Sequence, residues 1–297
     1  MCGIVGLFLK DQRLEPELGV LLAGMLGTLC DRGPDSAGFA VYGEETPGRI
    51  KLTLRVPQGF DFEALLRRLA GVAGALLKPT IRDTHAVISV PAAKESEVRA
   101  ELARIPDVDV VGSGRRMEIF KEVGRPDGVA ARFALEKMSG THGIGHTRMA
   151  TESAVTTDGA HPFTTGPDQC LVHNGSLSNH NAVRRELARA GIRFATENDS
   201  EVAAGFMTWK MRQGASLQQA LEASLAALDG FYTFVVGTES GFGVLRDPIA
   251  CKPAVMAETE KFVAFGTEYR ALVDLPGIAA AKVWEPEPAQ AYFWARH

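Results

Sequence analysis

The sequence predicts a layered α+β protein whose main domain is interrupted by a second, smaller α+β unit. Three observations carry this expectation. The 297 residues leave room for one large domain or two ordinary ones at roughly 150 residues each. Hydrophobic residues make up 45% and charged residues 23%, the mix of an average globular protein, which excludes a disordered chain, a collagen-like repeat and a coiled coil. Strand-like runs occupy both ends of the chain, while the stretch 50–135 alternates strand and helix patterns of its own. The expected division is therefore 1–49 together with 136–297 as one domain, and 50–135 as the insert.

Each element has its own signal. The run Gly3-Ile4-Val5-Gly6-Leu7-Phe8 is strand-like and would fix the chain start in a sheet. Pro16 stands where a helix can begin, and Leu18, Leu21, Leu22, Met25 and Leu29 share one helical face. Residues 31–36 form a turn-rich loop, and 38–42 a second strand. Within the insert, strand patterns at 50–56, 86–90 and 108–111 alternate with helical spacing at 62–77 and 95–105. Residues 117–123 add a further strand, and a ferredoxin-like module is the expected topology. Strands return at 143–149 and 170–173. A helix carrying Val183 and Leu187 stops at Gly191; a second is capped by Ser200 with Val202, Phe206 and Trp209 inward; a third runs from Ser216 to Gly230. The segments 231–236, 243–246, 254–257 and 262–265 are expected as successive strands of one antiparallel sheet.

Charge and cysteine content narrow the function classes. With 32 basic and 36 acidic residues the net charge is −4 and the pI is near 6.0, so no field draws the protein to nucleic acid or an anionic membrane. The apolar run 18–30 falls short of the roughly 20 residues a membrane span needs. Lys10 and Asp11 interrupt the apolar start before any signal cleavage site. Four scattered cysteines, Cys2, Cys30, Cys170 and Cys251, make neither a disulfide framework nor a paired zinc motif, so a reduced cytoplasmic setting is expected. Cys30, Cys170 and Cys251 read as small buried residues. His142 and His146 are four apart, but the intervening Gly143-Ile144-Gly145 fits a strand and not a zinc-binding helix. These two, with His161 and His173, are expected to pack or to support a site, and no metal is expected.

Cys2 follows the initiator methionine directly. Aminopeptidases remove that methionine when the next residue is small, which would leave a thiol and a free α-amino group on one residue. Such an amine titrates near 7.7–8.0 (about neutral), so part of it can accept a proton. A thiol beside its own base is an activated nucleophile.

Four polar segments accompany it: Arg32-Gly33-Pro34-Asp35-Ser36, Gly145-His146-Thr147-Arg148-Met149-Ala150-Thr151, His173-Asn174-Gly175 and Asn198-Asp199-Ser200-Glu201. Singly, each could be a turn, a hairpin signal or a helix start. In this order, behind Cys-Gly-Ile-Val-Gly, they resemble the glutaminase domain of class II glutamine amidotransferases. That family of N-terminal-nucleophile enzymes includes glucosamine-phosphate synthase, amidophosphoribosyltransferase, asparagine synthetase and glutamate synthase. The resemblance covers about 1–45 and 140–270. It implies a four-layer αββα sandwich with the insert added.

It also implies roles. Cys2 would attack the side-chain amide of glutamine, with its own amine as general base through a water. The Asn174 amide and Gly175 N–H would form the oxyanion hole. Arg148 would hold the substrate α-carboxylate and Asp199 its α-ammonium, selecting a free amino acid. Thr151 would line the pocket, and Arg32 would shape the site near the Cys2 terminus. Met149 and Glu152 stand where glucosamine-phosphate synthase-like members have Trp and His, a subfamily difference.

The resemblance implies a dedicated subunit, glutamate-synthase-like and close to the amidotransferase subunit of N-methylglutamate synthase, that delivers ammonia to separate synthase subunits in a hetero-oligomer. Any flavin or iron–sulfur cluster would sit on those partners, with no cofactor on this chain. Two alternatives are a free-standing amide hydrolase and a regulatory or binding subunit.

Overall fold

The computed structural model describes residues 2–150 and 154–296. The first half contains β1 (Gly3–Leu9), α1 (Leu18–Thr28), β2 (Ser36–Tyr42), β3 (Arg49–Arg55), α2 (Phe62–Ala73), β4 (Thr80–Arg82), β5 (His85–Pro91), α3 (Glu95–Leu102), β6 (Asp109–Gly114), β7 (Met117–Val123) and α4 (Pro126–Arg132). The second half contains β8 (His142–Arg148), β9 (Phe163–Gly166), β10 (Gln169–Leu177), α5 (His180–Arg189), α6 (Asp199–Arg212), α7 (Leu217–Ala227), β11 (Gly230–Thr238) and β12 (Gly241–Arg246). Four short strands close the chain: β13 (Val255–Glu258), β14 (Phe262–Gly266), β15 (Lys282–Trp284) and β16 (Ala291–Ala295).

Alternation along the strands builds the layers. In β1, Val5, Leu7 and Leu9 face one apolar core with α1, while Ile4 and Phe8 face another. A strand buried on both faces must sit between two layers. β1 is the middle of a seven-stranded sheet, ordered β15-β13-β14-β1-β8-β2-β7. A five-stranded sheet, ordered β16-β12-β11-β10-β9, packs against it. Helices α1 and α4 cover the first sheet, and α5, α6 and α7 cover the second. This is the αββα sandwich, held by three stacked cores. Gly143 and Gly145 of β8 let α1 lie directly on the sheet; a Cβ at either would come within 2.8–2.9 Å of Leu22 or Leu26.

The insert forms its own antiparallel sheet, ordered β4-β5-β3-β6. Its element order β3-α2-β4-β5-α3-β6 is the β-α-β-β-α-β pattern of ferredoxin-like modules. Asp61 caps α2 through the Ala64 N–H at 3.0 Å, and Gly74 ends it in the left-handed region, φ 65°. Leu65, Leu69, Val98 and Leu102 close over Leu52, Leu54, Ile88 and Val90.

Four expectations need correction. Residues 117–123 do not belong to the inserted sheet: β7 pairs with β2 along its whole length, from Ser36↔Val123 to Tyr42↔Met117. The reason is visible in its side chains, since Ile119 and Phe120 enter the two cores on either side of the large sheet. The strands at 231–236, 243–246, 254–257 and 262–265 do not share one sheet. β11 and β12 lie in the five-stranded sheet, and β13 and β14 in the seven-stranded one. Fully buried Asp247 makes the crossing, accepting the N–H groups of Tyr232, Ile249 and Ala250 at 2.8–3.3 Å. The cap of α6 is Asn198, whose side chain accepts the Ser200 N–H at 2.8 Å; Ser200 is inside the helix. Cys251 is exposed, just beyond that Asp247 turn, while Cys30 and Cys170 are buried. Among the described residues no helix is long and apolar enough to cross a membrane.

Candidate active site

The central strand places Cys2 at its head. Gly3 N–H donates to Thr147 Oγ1 at 3.1 Å, and Ile4 N–H to Thr267 Oγ1 at 2.8 Å, so β8 and the end of β14 fasten the chain start from both sides. The Cys2 carbonyl accepts from Arg32 Nε at 3.2 Å and from Asn174 Nδ2 at 3.3 Å. Arg32 is braced in turn by an ion pair with Glu268. The half-buried thiol points towards the carbonyl of Met149, 3.8 Å away.

Period two along β10 supplies the partner group. Leu171 and Leu177 face the helical layer, while Cys170 and Val172 face the other sheet. Asn174 therefore points across the sandwich to Cys2, and His173 points the other way to α6. Gly175 follows with φ +148°, and a Cβ there would lie 2.0 Å from the Phe231 carbonyl oxygen. Only glycine fits this backbone.

Arg148 ends β8 with 6% of its surface exposed. Its Nη1 donates to the Ala154 carbonyl at 3.3 Å. Asp35 clamps the turn beyond it: its N–H donates to Arg148 O at 3.1 Å, and its carboxylate accepts the Ala150 N–H at 2.8 Å. Asp199 opens α6, where a negative charge suits the helix dipole. Its Oδ2 accepts the Leu177 N–H of β10 at 2.9 Å. Direct bonds thus join Cys2, Arg32 and Asn174; Gly175 adjoins Asn174, Arg148 adjoins the carbonyl facing the thiol, and Asp199 is held by β10, the strand of Asn174 and Gly175. Thr151 lies outside the described residues.

A buried polar cluster lies behind these groups. Ser200 Oγ stands 2.8 Å from His173 Nδ1, 2.9 Å from His161 Nε2 and 3.3 Å from Asp199 Oδ1. His146 Nε2 meets the His173 carbonyl at 3.1 Å and its ring stacks on His161 at 3.9 Å. Burial disfavours the charged form of all three imidazoles: it pushes His146 down to about 3 and His161 well below its usual value. Burial also lowers His173, with the Asp199 charge opposing. The sequence shows His146, His161 and His173 as supporting residues but shows Ser200 only as a cap. Its position immediately after Asp199 was the available signal.

Two surface clefts of about 650 and 660 Å³ lie elsewhere, one between the inserted sheet and β9, the other beside Lys10 and Glu258. Neither is lined by Cys2, Asn174 or Arg148, so volume alone does not locate the chemistry here. Among the described residues no group of three or more His, Cys, Asp or Glu is arranged to hold a metal ion.

The layers and the strand-head cysteine facing an Asn-Gly pair have the layout of the N-terminal-nucleophile class. The family described as the glutamine amidotransferase domain matches residues 146–274. Over 296 residues the chain is 63% identical to the glutamine amidotransferase-like protein GlxB of Rhizobium meliloti (strain 1021), covering 99% of this chain and 98% of that protein. It is 32% identical over 305 residues to a putative glutamine amidotransferase of Methanothermobacter thermautotrophicus, at 98% and 99% coverage. The chain belongs to the class II glutamine amidotransferases. The fold agrees: glutamine phosphoribosylpyrophosphate amidotransferase from B. subtilis superposes on 99% of this chain and 47% of its own, with a TM-score of 0.63 at 20% identity.

Proposed function

We propose that this chain is a glutaminase subunit, hydrolysing L-glutamine through a Cys2 thioester and passing the ammonia to a separate, glutamate-synthase-like subunit. The observation that carries the chemistry is the Cys2 carbonyl gripped by Arg32 and Asn174. It fixes the nucleophile beside two oxyanion donors before substrate arrives, which avoids reorganisation during reaction.

With Met1 removed, the Cys2 amine takes the thiol proton, directly or through a water, and Sγ bonds to the amide carbon. Asn174 Nδ2 and Gly175 N–H hold the resulting oxyanion. The carbon–nitrogen bond then breaks, the amine returns the proton, and ammonia leaves. Water attacks the thioester under the same base and releases glutamate. Arg148 holds the α-carboxylate and Asp199 the α-ammonium, with Thr151 lining the same pocket. None of these steps draws on a cofactor of this chain; a flavin or iron–sulfur cluster would serve the synthase subunit. Met149 and Phe231, each 38% exposed at the site's rim, are apolar surface that a partner would cover.

The test combines mass spectrometry, mutation and native purification. The mature chain should begin at Cys2, and retained Met1 would overturn the mechanism because no cysteinyl amine would exist. Cys2→Ala should abolish glutamine hydrolysis with the melting temperature unchanged. A co-purifying synthase that stimulates hydrolysis supports the subunit role; full turnover by the isolated chain replaces it with a free-standing hydrolase.

A further inference from the structure

The Ser200 hydroxyl has one proton to donate and two lone pairs with which to accept. Three groups surround it: Asp199 Oδ1, His173 Nδ1 and His161 Nε2. A carboxylate only accepts, so the hydroxyl proton goes to Asp199, and both imidazoles must present N–H groups to Ser200. That sets the tautomers: His173 carries its proton on Nδ1 and His161 on Nε2. His146 faces the His173 carbonyl and carries its proton on Nε2. The other ring nitrogens, His146 Nδ1, His161 Nδ1 and His173 Nε2, have no hydrogen-bond partner among the described residues. Each is consistent as a bare acceptor on a neutral ring, and a second proton on any of them would have nowhere to bond.

The cluster therefore has one self-consistent arrangement, and it touches three of the functional segments at once. Ser200 orients the Asp199 carboxylate from one side while the Leu177 N–H holds its other oxygen. His173 is the residue before Asn174, and His146 grips the carbonyl of that same residue. We propose that Ser200, backed by His161 and His173, is a positioning residue that aims Asp199 at the substrate ammonium and ties it to the strand carrying Asn174 and Gly175. This rests on the assignment of Asp199 to the α-ammonium made above. Ser200 touches no substrate; it acts through Asp199.

The experiment compares glutamine with 5-amino-5-oxopentanoate, which is glutamine without its α-amino group. Wild type should strongly prefer glutamine. Ser200→Ala should raise KM for glutamine about 10- to 100-fold, the fold equivalent of losing a hydrogen bond to a charged group. It should leave kcat within about threefold, and kcat/KM for the deaminated analogue unchanged, because that substrate makes no use of Asp199. An equal loss on both substrates, or no loss on glutamine, overturns the proposal. If wild type itself hydrolyses the analogue as well as glutamine, the Asp199 assignment falls and the proposal falls with it. A second pair guards against simple misfolding. His161→Gln keeps an N–H where Nε2 donates and should hold KM near wild type, while His161→Leu removes it and should follow Ser200→Ala. Identical behaviour of the two variants overturns the relay.

Discussion

Ser200 and Leu69 are about equally hidden from solvent, at 2% and 0% exposure, yet their surroundings have little in common. Leu69 sits on α2 among Leu52, Leu54, Ile88 and Val98, a core of the inserted unit made of side chains with no polar atoms. Ser200 sits in the first turn of α6, bonded to two imidazoles and a carboxylate. Burying a polar group costs free energy unless its bonds are remade, so apolar packing is the default interior. One group of exceptions gathers where strands β8 and β10 meet α6, and there three ring nitrogens have no hydrogen-bond partner among the described residues. The insert's core under α2 and α3 follows the ordinary rule of stability. The sandwich departs from it at several places, Asp247 among them, and the Ser200 cluster is the one that borders Cys2, Arg148, Asn174 and Asp199.

The sharpest way to probe this contrast is to add a single carbon on the site's side. Gly175→Ala puts a Cβ 2.0 Å from the Phe231 carbonyl oxygen and 2.9 Å from His173 Nε2, at a φ of +148°. The strand must move, carrying the Gly175 N–H and the Asn174 amide off the oxyanion position proposed for them. The expected loss in kcat is at least about 100-fold, the scale of one lost oxyanion donor. Steady-state kinetics check it, with circular dichroism showing that the fold persists. Activity within tenfold of wild type would remove Gly175 from the oxyanion hole.

Much of this site was legible because polar residues break the hydrophobic pattern of a strand or helix. Arg148 ends the His142–Arg148 strand and Asn174 interrupts β10. The family resemblance then gave those interruptions an order. The fold was legible where periodicity is local: β1, α1, α2 and α7 fall where their spacing puts them. It was illegible where pairing is non-local. Nothing within 117–123 says that the strand lies against β2, about 80 residues earlier in sequence and outside the sheet just completed, because period two is the same in either sheet. The split between β12 and β13 depends on one buried carboxylate, Asp247, bonded to Tyr232 across the strand pair. Ser200 was hidden for a different reason. A serine near a helix start satisfies capping rules whether or not its hydroxyl works elsewhere.

Acid offers a second separation. Burial lowers His142 and His146 to about 3, with His161 and His173 also depressed, and all four lie in the sandwich. His85, also lowered to about 3 by burial, is their counterpart in the inserted sheet. In the unfolded chain each would titrate near 6.5 (about the model-peptide value). A group whose folded pKa lies lower takes up protons on unfolding, so its contribution to stability is complete above about 6.5 and is lost as pH falls towards 3. Ordinary carboxylates titrate below about 4.5, which leaves the upper part of that window to histidine. The melting temperature should be level from pH 8 to 6.5 and fall steeply from 6.5 to 4.5. His85→Gln should remove only a minor part of that fall. A melting temperature unchanged down to pH 4.5 would show that the buried rings are already protonated in the folded protein.

The smallest effect on turnover is expected from the other side of the comparison. Leu69→Ala opens a hole in the insert's apolar core and should cost about 2–5 kcal/mol of stability, measured by urea denaturation. Whether catalysis notices depends on what connects the two regions. Arg55 of β3 pairs with Asp109 within the insert and with Asp158, both at 2.6 Å. Asp158 belongs to the segment whose Ala154 carbonyl accepts from Arg148. One ion pair thus runs from the insert towards Arg148, the residue proposed to hold the substrate carboxylate, and it is more than half exposed on the Asp158 side, where such pairs are worth under about 1 kcal/mol. A packing defect under α2 has this weak link as its ionic route to the Arg148 segment, beside contacts of the insert with β7 and α4 such as Lys51–Glu118 and Asp83–Arg132. Glutamine KM should therefore change less than twofold and kcat not at all, even though Leu69→Ala removes more stability than most surface changes could. A larger rise in KM, reproduced by Arg55→Ala, would mean that the insert holds the substrate pocket in shape and that the two regions are one mechanical unit.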